Sequence, residues 1–206
     1  MAFLFVIACS SSNSSENNTQ EQDLVKAAFE GYKAAILKDA GNEAVQFLDS
    51  KTIQYYSELL ETVLNADSAK VSSLNIMDKL QTLTVRALVD KEKLLSFDGK
   101  QLLAHTIEIG MTSKSVAGSQ LENIVIDKDF AKGQFSANGE EAPVYFSFHK
   151  EEGDWKLDLT SIFHLSTTVF QQMIKESGQN ENEFIISILE PLVGTTPKND
   201  LWHPVN

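Results

Sequence analysis

Four histidines, His105, His149, His164 and His203, carry whatever acid–base or metal chemistry this chain can perform near neutral pH. His149 ends a stretch of strict alternation, Ala142 to Lys150. Its Val144, Phe146 and Phe148 share one face, and Tyr145, Ser147 and His149 take the other. A second alternating stretch, Trp155 to Leu159, follows the turn Glu151-Glu152-Gly153-Asp154, and its Asp158 also faces away from the apolar set. Pairing the two stretches brings His149 and Asp158 near each other across a hairpin. A carboxylate that orients an imidazole is an element of general acid–base catalysis. On a solvent-facing sheet the same pair is an exposed charged pair, and that is the expectation here. His105 and Glu108 stand three apart on a helical stretch, so both can face one metal. Carboxylate-bridged sites need matching Glu/His pairs on neighbouring helices. The sequence supplies no matching set, so no metal and no cofactor is expected. His164 starts a helix beside an apolar stripe, and His203 lies in the tail.

No Gly-rich phosphate loop, Gly-x-Ser-x-Gly elbow, His-Glu-x-x-His run or cysteine pair occurs. The chain has 206 residues, a formal charge of -12 and a single cysteine. That charge argues against nucleic acid as a partner, because basic patches supply most of that affinity. It argues equally against adhesion to anionic lipid head groups. Solubility is the plain meaning of the acidity. Removing residues 1–19 leaves enough chain for one substantial domain with a core of its own.

The single cysteine ends an apolar run, Met1-Ala2-Phe3-Leu4-Phe5-Val6-Ile7-Ala8-Cys9, and a polar tract, Ser10-Ser11-Ser12-Asn13-Ser14-Ser15-Glu16-Asn17-Asn18, follows it. The run is far shorter than the roughly 20 apolar residues that span a bilayer. It is near the low end of a signal-peptide apolar core, about 7 residues. The positive charge that precedes such a core is missing, since the first basic residue is Lys26. Val6-Ile7-Ala8-Cys9 resembles a bacterial lipobox. The resemblance implies cleavage before Cys9, lipid attached to its sulfur, and a domain tethered in the cell envelope. Stable attachment takes two or more acyl chains, as bacterial lipoproteins carry. Ser10, standing where an aspartate would favour inner-membrane retention, points to an outer membrane. Residues 1–8 are then a signal-peptide remnant and residues 9–19 a lipidated cysteine with a flexible linker.

Behind the linker the elements that position His149 and Asp158 are legible. Thr19 with Gln22 has the form of a capping box. Leu24, Val25, Ala28, Phe29, Tyr32 and Ile36 follow at helical spacing up to Lys38, with Gly41 suited to a left-handed C-cap. A short helix over Glu43 to Leu48 comes next. Asp49-Ser50 caps a helix with Ile53, Tyr56, Leu59, Leu60, Val63 and Leu64. Ser72-Ser73 opens a deeply packed third long helix from Leu74 to Leu88. Lys100 to Ile109 is one more helix, ended by Gly110, and Met111 to Ser119 is a small-residue loop. The period then changes to two. Strands are expected over Gln120 to Lys128, Phe130 to Ala137, Ala142 to Lys150 and Trp155 to Leu159, with Asn138-Gly139 as a hairpin turn. Helices over Ile162 to Ser177 and from Asn180 through Leu192 close the domain. The tail from Thr195 to Asn206 is expected to be pinned by Trp202. The fold class is α+β: N-terminal helices, a four-stranded antiparallel meander, then two C-terminal helices, as a single domain over residues 20–194 with a tail at 195–206.

Two pieces resemble the NTF2-like (SnoaL-like) cone domains. Phe29 to Tyr56, with Gly-x-Tyr-Lys-Ala-Ala and Lys-Asp-Ala-Gly-Asn-Glu-Ala-Val-Gln-Phe-Leu-Asp, is similar to their opening helices. Phe146 to Leu159, with Gly-Asp-Trp-Lys, is similar to their closing hairpin. Together the pieces cover about a quarter of the chain. The helices from Asp49 to Ile109 and the two after the last strand depart from the family pattern. The resemblance implies a cone with a helical insertion and a C-terminal helical lid, its curved sheet wrapping a pocket. That family includes isomerases, dehydratases and bare binding domains, so fold alone does not settle function. In its isomerases an aspartate base works beside a tyrosine. Tyr32, Tyr55, Tyr56 and Tyr145 are available here, but none matches such a motif by position, and no catalytic residue is carried over. His149, Asp158, Tyr145 and Tyr56 are the pocket candidates. The expected function is a lipid-anchored, non-catalytic domain that binds a small apolar ligand or an envelope protein. The alternative is an isomerase- or dehydratase-type enzyme acting on a small apolar substrate. A partner-binding scaffold using its helical face is a third possibility.

Overall fold

A computed structural model describes residues 12–111, 114–194 and 199–206. Cys9 and the lipobox-like segment lie outside the described residues. Helix α1 (Ser12–Leu37) comes first. Residues 12–19 are therefore part of a helix and not a flexible linker. The packed part nucleates the helix, and each residue added at its end then costs little. Thr19 and Gln22 lie inside it, so they form no capping box at its start. Gln22 instead donates to the Ile124 carbonyl at 2.8 Å.

Six more α-helices follow α1 before the sheet among the described residues: α2 (Gly41–Ala44), α3 (Ser50–Asn65), α4 (Ser68–Ser73), α5 (Ile76–Leu88), α6 (Lys91–Ser96) and α7 (Gly99–Glu108). Asp49 caps α3 by accepting from the Thr52 N–H, and Asp98 with Gln101 forms a capping box on α7. The expected long helix starting at Ser72-Ser73 is two elements. Those serines end α4, and Asn75 opens α5 by accepting from the Asp78 N–H. Gly41 is not the C-cap of α1 either. Asp39 takes the left-handed conformation, with φ 54°. Gly41 begins α2, where a Cβ would lie 1.9 Å from the Ala104 carbonyl oxygen of α7. Glycine is there for close approach of two backbones, not for a turn.

The sheet has the order β1 (Ser119–Asp127), β2 (Phe130–Ala137), β3 (Glu140–Glu151) and β4 (Asp154–Asp158), all antiparallel. The β2–β3 turn takes positive φ at Asn138 and Gly139, and the β3–β4 turn does so at Glu152 and Gly153. Two helices, α8 (Phe163–Ser177) and α9 (Glu181–Val193), complete the chain. Gly178 is a left-handed C-cap, and Asn180 with Glu183 is a capping box. The chain is thus α+β, with helices first, a meander second and two helices last.

Among the described residues three clusters make the core. The largest joins one sheet face to α1, through Phe146, Phe148, Trp155 and Leu157 against Val25, Phe29, Tyr32 and Ile36. Leu24, expected on this apolar stripe, is 46% exposed. Glu21 clasps α1 to the last hairpin, accepting from Lys150 Nζ at 2.8 Å and Trp155 Nε1 at 2.7 Å. The hydrogen bonds from Lys150 and Trp155 hold its carboxyl below the ordinary value of 4.5. The second cluster lies among α3, α5, α6 and α7. The third joins α5 to α9, with Trp202 packed against it, so the tail is pinned as expected. The C-terminal helices therefore close the helical body and do not cover the sheet's apolar face. Arg86 binds that body together. It donates to the carbonyls of Thr62, Val63, Ala66 and Leu201, the first three at the C-terminal end of α3. Among the described residues no helix is long and apolar enough to cross a membrane.

Candidate functional site

The start of α3 docks on the last hairpin. Leu48 bridges in parallel to Leu157 of β4, and the Asp49 N–H donates to the Leu157 carbonyl at 3.1 Å. The Glu151 carboxylate accepts from the Ser50 N–H and Oγ, at 2.9 and 2.6 Å. Thr52 Oγ1 accepts from the Leu159 N–H at 3.0 Å. Behind β4, the 3-10 turn Leu159–Ile162 folds over β3, and Ser161 Oγ accepts from the Ser147 N–H. Together these segments cover the β3–β4 end of the sheet's second face. At the β1–β2 end that face is open, with Val125 and Phe130 exposed.

Under this cover the structure brings Asp49, His149 and Asp158 together, and one ligand-type atom from each lies within 4.8 Å of the others. His149 Nδ1 is 2.9 Å from Asp49 Oδ2. Asp49 Oδ1 accepts from the Thr52 N–H at 2.8 Å. Asp158 Oδ1 accepts from Thr160 Oγ1 and from the Ser161 N–H, while its Oδ2 accepts from Lys51 Nζ at 2.9 Å. Both aspartates are buried, the His149 side chain is 37% exposed, and the Lys51 side chain is 61% exposed. The ring of Phe130 packs on His149 with centroids 5.6 Å apart.

The proximity of His149 and Asp158 follows from the strand register, in which His149 faces Lys156 and Ser147 faces Asp158. Their expected place as an exposed charged pair does not hold. Asp158 is sealed by the turn it caps, and the acid bonded to the imidazole is Asp49. Asp49 was legible only as the cap of α3. Its partner lies 100 residues away, and no local pattern carries that contact.

The other two candidates lie elsewhere. Tyr145 is exposed on the open part of the sheet, with Lys132 Nζ 4.4 Å from its ring centroid. Tyr56 packs between the first two core clusters, where burial pushes its phenol up to about 12 against a hydrogen bond with Thr106. It is a core tyrosine whose phenol stays protonated near neutral pH. His105 and Glu108 do make the helical pair read from their spacing, with Nδ1 3.6 Å from Oε2. A recess of about 100 Å³ between α3 and α5 is lined by Tyr55, Asp78 and Thr82 among others, with Tyr55 donating to Asp78 at 2.7 Å. It is smaller than the pockets of several hundred Å³ that hold organic ligands.

His149 and Asp158 sit on the opposite sheet face from Phe146 and Phe148, so neither points into the apolar space beneath the sheet. What the cluster offers is a nitrogen and two carboxylate oxygens within 4.8 Å of one another, with an exposed ammonium beside them. No protein-family model, curated protein or solved structure matches this chain.

Proposed function

We propose that this chain is a lipid-anchored protein of the bacterial cell envelope, held through Cys9 at an outer membrane, and that its domain works by binding an envelope partner without catalysis. The observation that supports the binding reading is the closure of the sheet's apolar face. Val25, Phe29, Tyr32 and Ile36 of α1 fill the space where an enzyme of the NTF2-like type would hold substrate. The titratable cluster lies on the opposite face. The surfaces left to the domain are therefore outer ones. Among them are Leu165, Val169 and Met173, exposed along one side of α8. The resemblance of the opening helices and closing hairpin to NTF2-like domains is compatible with this reading, since bare binding domains belong to that family too. The anchor rests on Val6-Ile7-Ala8-Cys9 and the polar tract behind it.

Cells expressing the full chain are fed a clickable fatty acid and then crosslinked. The expected result is label on the wild type, none on Cys9→Ser, and a discrete crosslinked species at the membrane that the Cys9→Ser variant fails to form. An unlabelled wild type removes the anchor. Labelled protein with no crosslinked species removes the partner.

A further inference from the structure

The geometry points to Asp49, His149 and Asp158 as a site for a divalent metal ion of the zinc class, clasping the start of α3 to the β3–β4 hairpin. Asp49 Oδ2, His149 Nδ1 and Asp158 Oδ2 supply the ligands. Three features carry the assignment. The first is the division of labour within each carboxylate. Asp49 Oδ1 is held by the Thr52 N–H, and Asp158 Oδ1 by the Ser161 N–H and Thr160 Oγ1. Asp49 Oδ2 turns to His149 Nδ1 and Asp158 Oδ2 to Lys51 Nζ, and supporting hydrogen bonds on the other oxygen orient ligating carboxylates in the same way.

The second feature is charge. Two aspartates, 0% and 2% exposed, lie with ligand atoms inside 4.8 Å of each other. Buried carboxylates so placed require a cation. The cation at hand is Lys51, whose ammonium reaches Asp158 Oδ2 from an exposed position. A lysine tip there marks where positive charge is favoured and leaves easily when a doubly charged ion enters.

The third feature is spacing. Ligand atoms on a tetrahedral zinc stand about 3.4 Å apart. The distances here begin at 2.9 Å, between Asp49 Oδ2 and His149 Nδ1, and stay within 4.8 Å. Small rotations of half-buried His149 bring all three onto one ion. One imidazole with two carboxylates suits zinc or manganese better than calcium, which takes six to eight oxygens. The fourth position goes to water or to a side chain of a bound partner. This assignment is independent of whether Cys9 carries lipid.

The test is isothermal titration of the untagged, chelator-stripped full chain with zinc chloride at pH 7. One ion is expected to bind per chain. His149→Gln retains a hydrogen-bond donor toward Asp49 and is expected to weaken binding by roughly 100-fold or more. Lys51→Ala removes the competing ammonium at an exposed position and is expected to tighten it. A merely structural ion pair predicts no such gain. His105→Ala is expected to bind as the wild type does. Absence of saturable one-to-one binding, equal affinity in His149→Gln, or unchanged or weaker affinity in Lys51→Ala overturns the assignment.

Discussion

Arg86 makes four hydrogen bonds, all to main-chain carbonyls, from a position 9% exposed. Burial alone pulls its guanidinium below the ordinary value, because the acceptors are dipoles and not carboxylates. Replacing it leaves the carbonyls at the end of α3 without their donor. Arg86→Leu is expected to destabilise the fold by about 3 kcal/mol, read as a lower urea midpoint with an unchanged slope. Lysine restores little, since a single ammonium cannot reach four acceptors that a planar fork spans. Glu21 offers the corresponding test by pH. Its folded carboxyl is lowered by Lys150 and Trp155, so its contribution is complete above the unfolded value and is lost as pH falls through the folded one. The melting temperature of the wild type is therefore expected to exceed that of Glu21→Gln near pH 6. The gap should close as pH falls below the ordinary carboxylate range. A constant gap would mean that the clasp is not ionic. Neither residue announced itself in the sequence. One is a lone arginine in an apolar helix, the other a glutamate within a polar helix start.

At the scale of elements, Gly41 is the position least open to change. An alanine there drives its Cβ into the Ala104 backbone, so α2 and α7 must separate. Gly41→Ala is expected to cost about 3 kcal/mol, measured by thermal and urea unfolding. An alanine at Gly153, where a Cβ meets nothing within 4 Å, carries only the strain of its φ of 95°. Elements with local signals were legible. Asp49 and Asn180 mark two helix starts. Asn138-Gly139 sets the β2–β3 turn. Elements without such signals were misjudged. Ser72-Ser73 has the composition of a helix start, but the capping geometry belongs to Asn75, and α6 is a six-residue helix too short to show a period. The stretch from Ser12 lacks apolar residues, so nothing in it distinguished a helical extension from a tether.

For the whole molecule, the division into a sheet closed by α1 and a helical body completed by α8, α9 and the tail could not be read from order alone. The succession of helices, strands and helices was legible. Which helices cover the sheet was not, since α1 and α8 both carry apolar stripes. The site was half legible for the same reason. Hairpin register brings His149 beside Asp158, whereas Asp49 arrives through the docking of a helix 100 residues earlier in the chain. The Arg86 joint has a consequence for biosynthesis. One of its acceptors, the Leu201 carbonyl, is 115 residues downstream, and the lysine that meets Glu21 is 129 residues downstream. A nascent chain therefore emerges with both joints open: the Glu21 joint waits for Lys150, and the Arg86 joint waits for Leu201, close to the end of the chain. Contacts this distant slow folding. The molecule therefore begins as a chain whose early and late parts are not yet tied to each other.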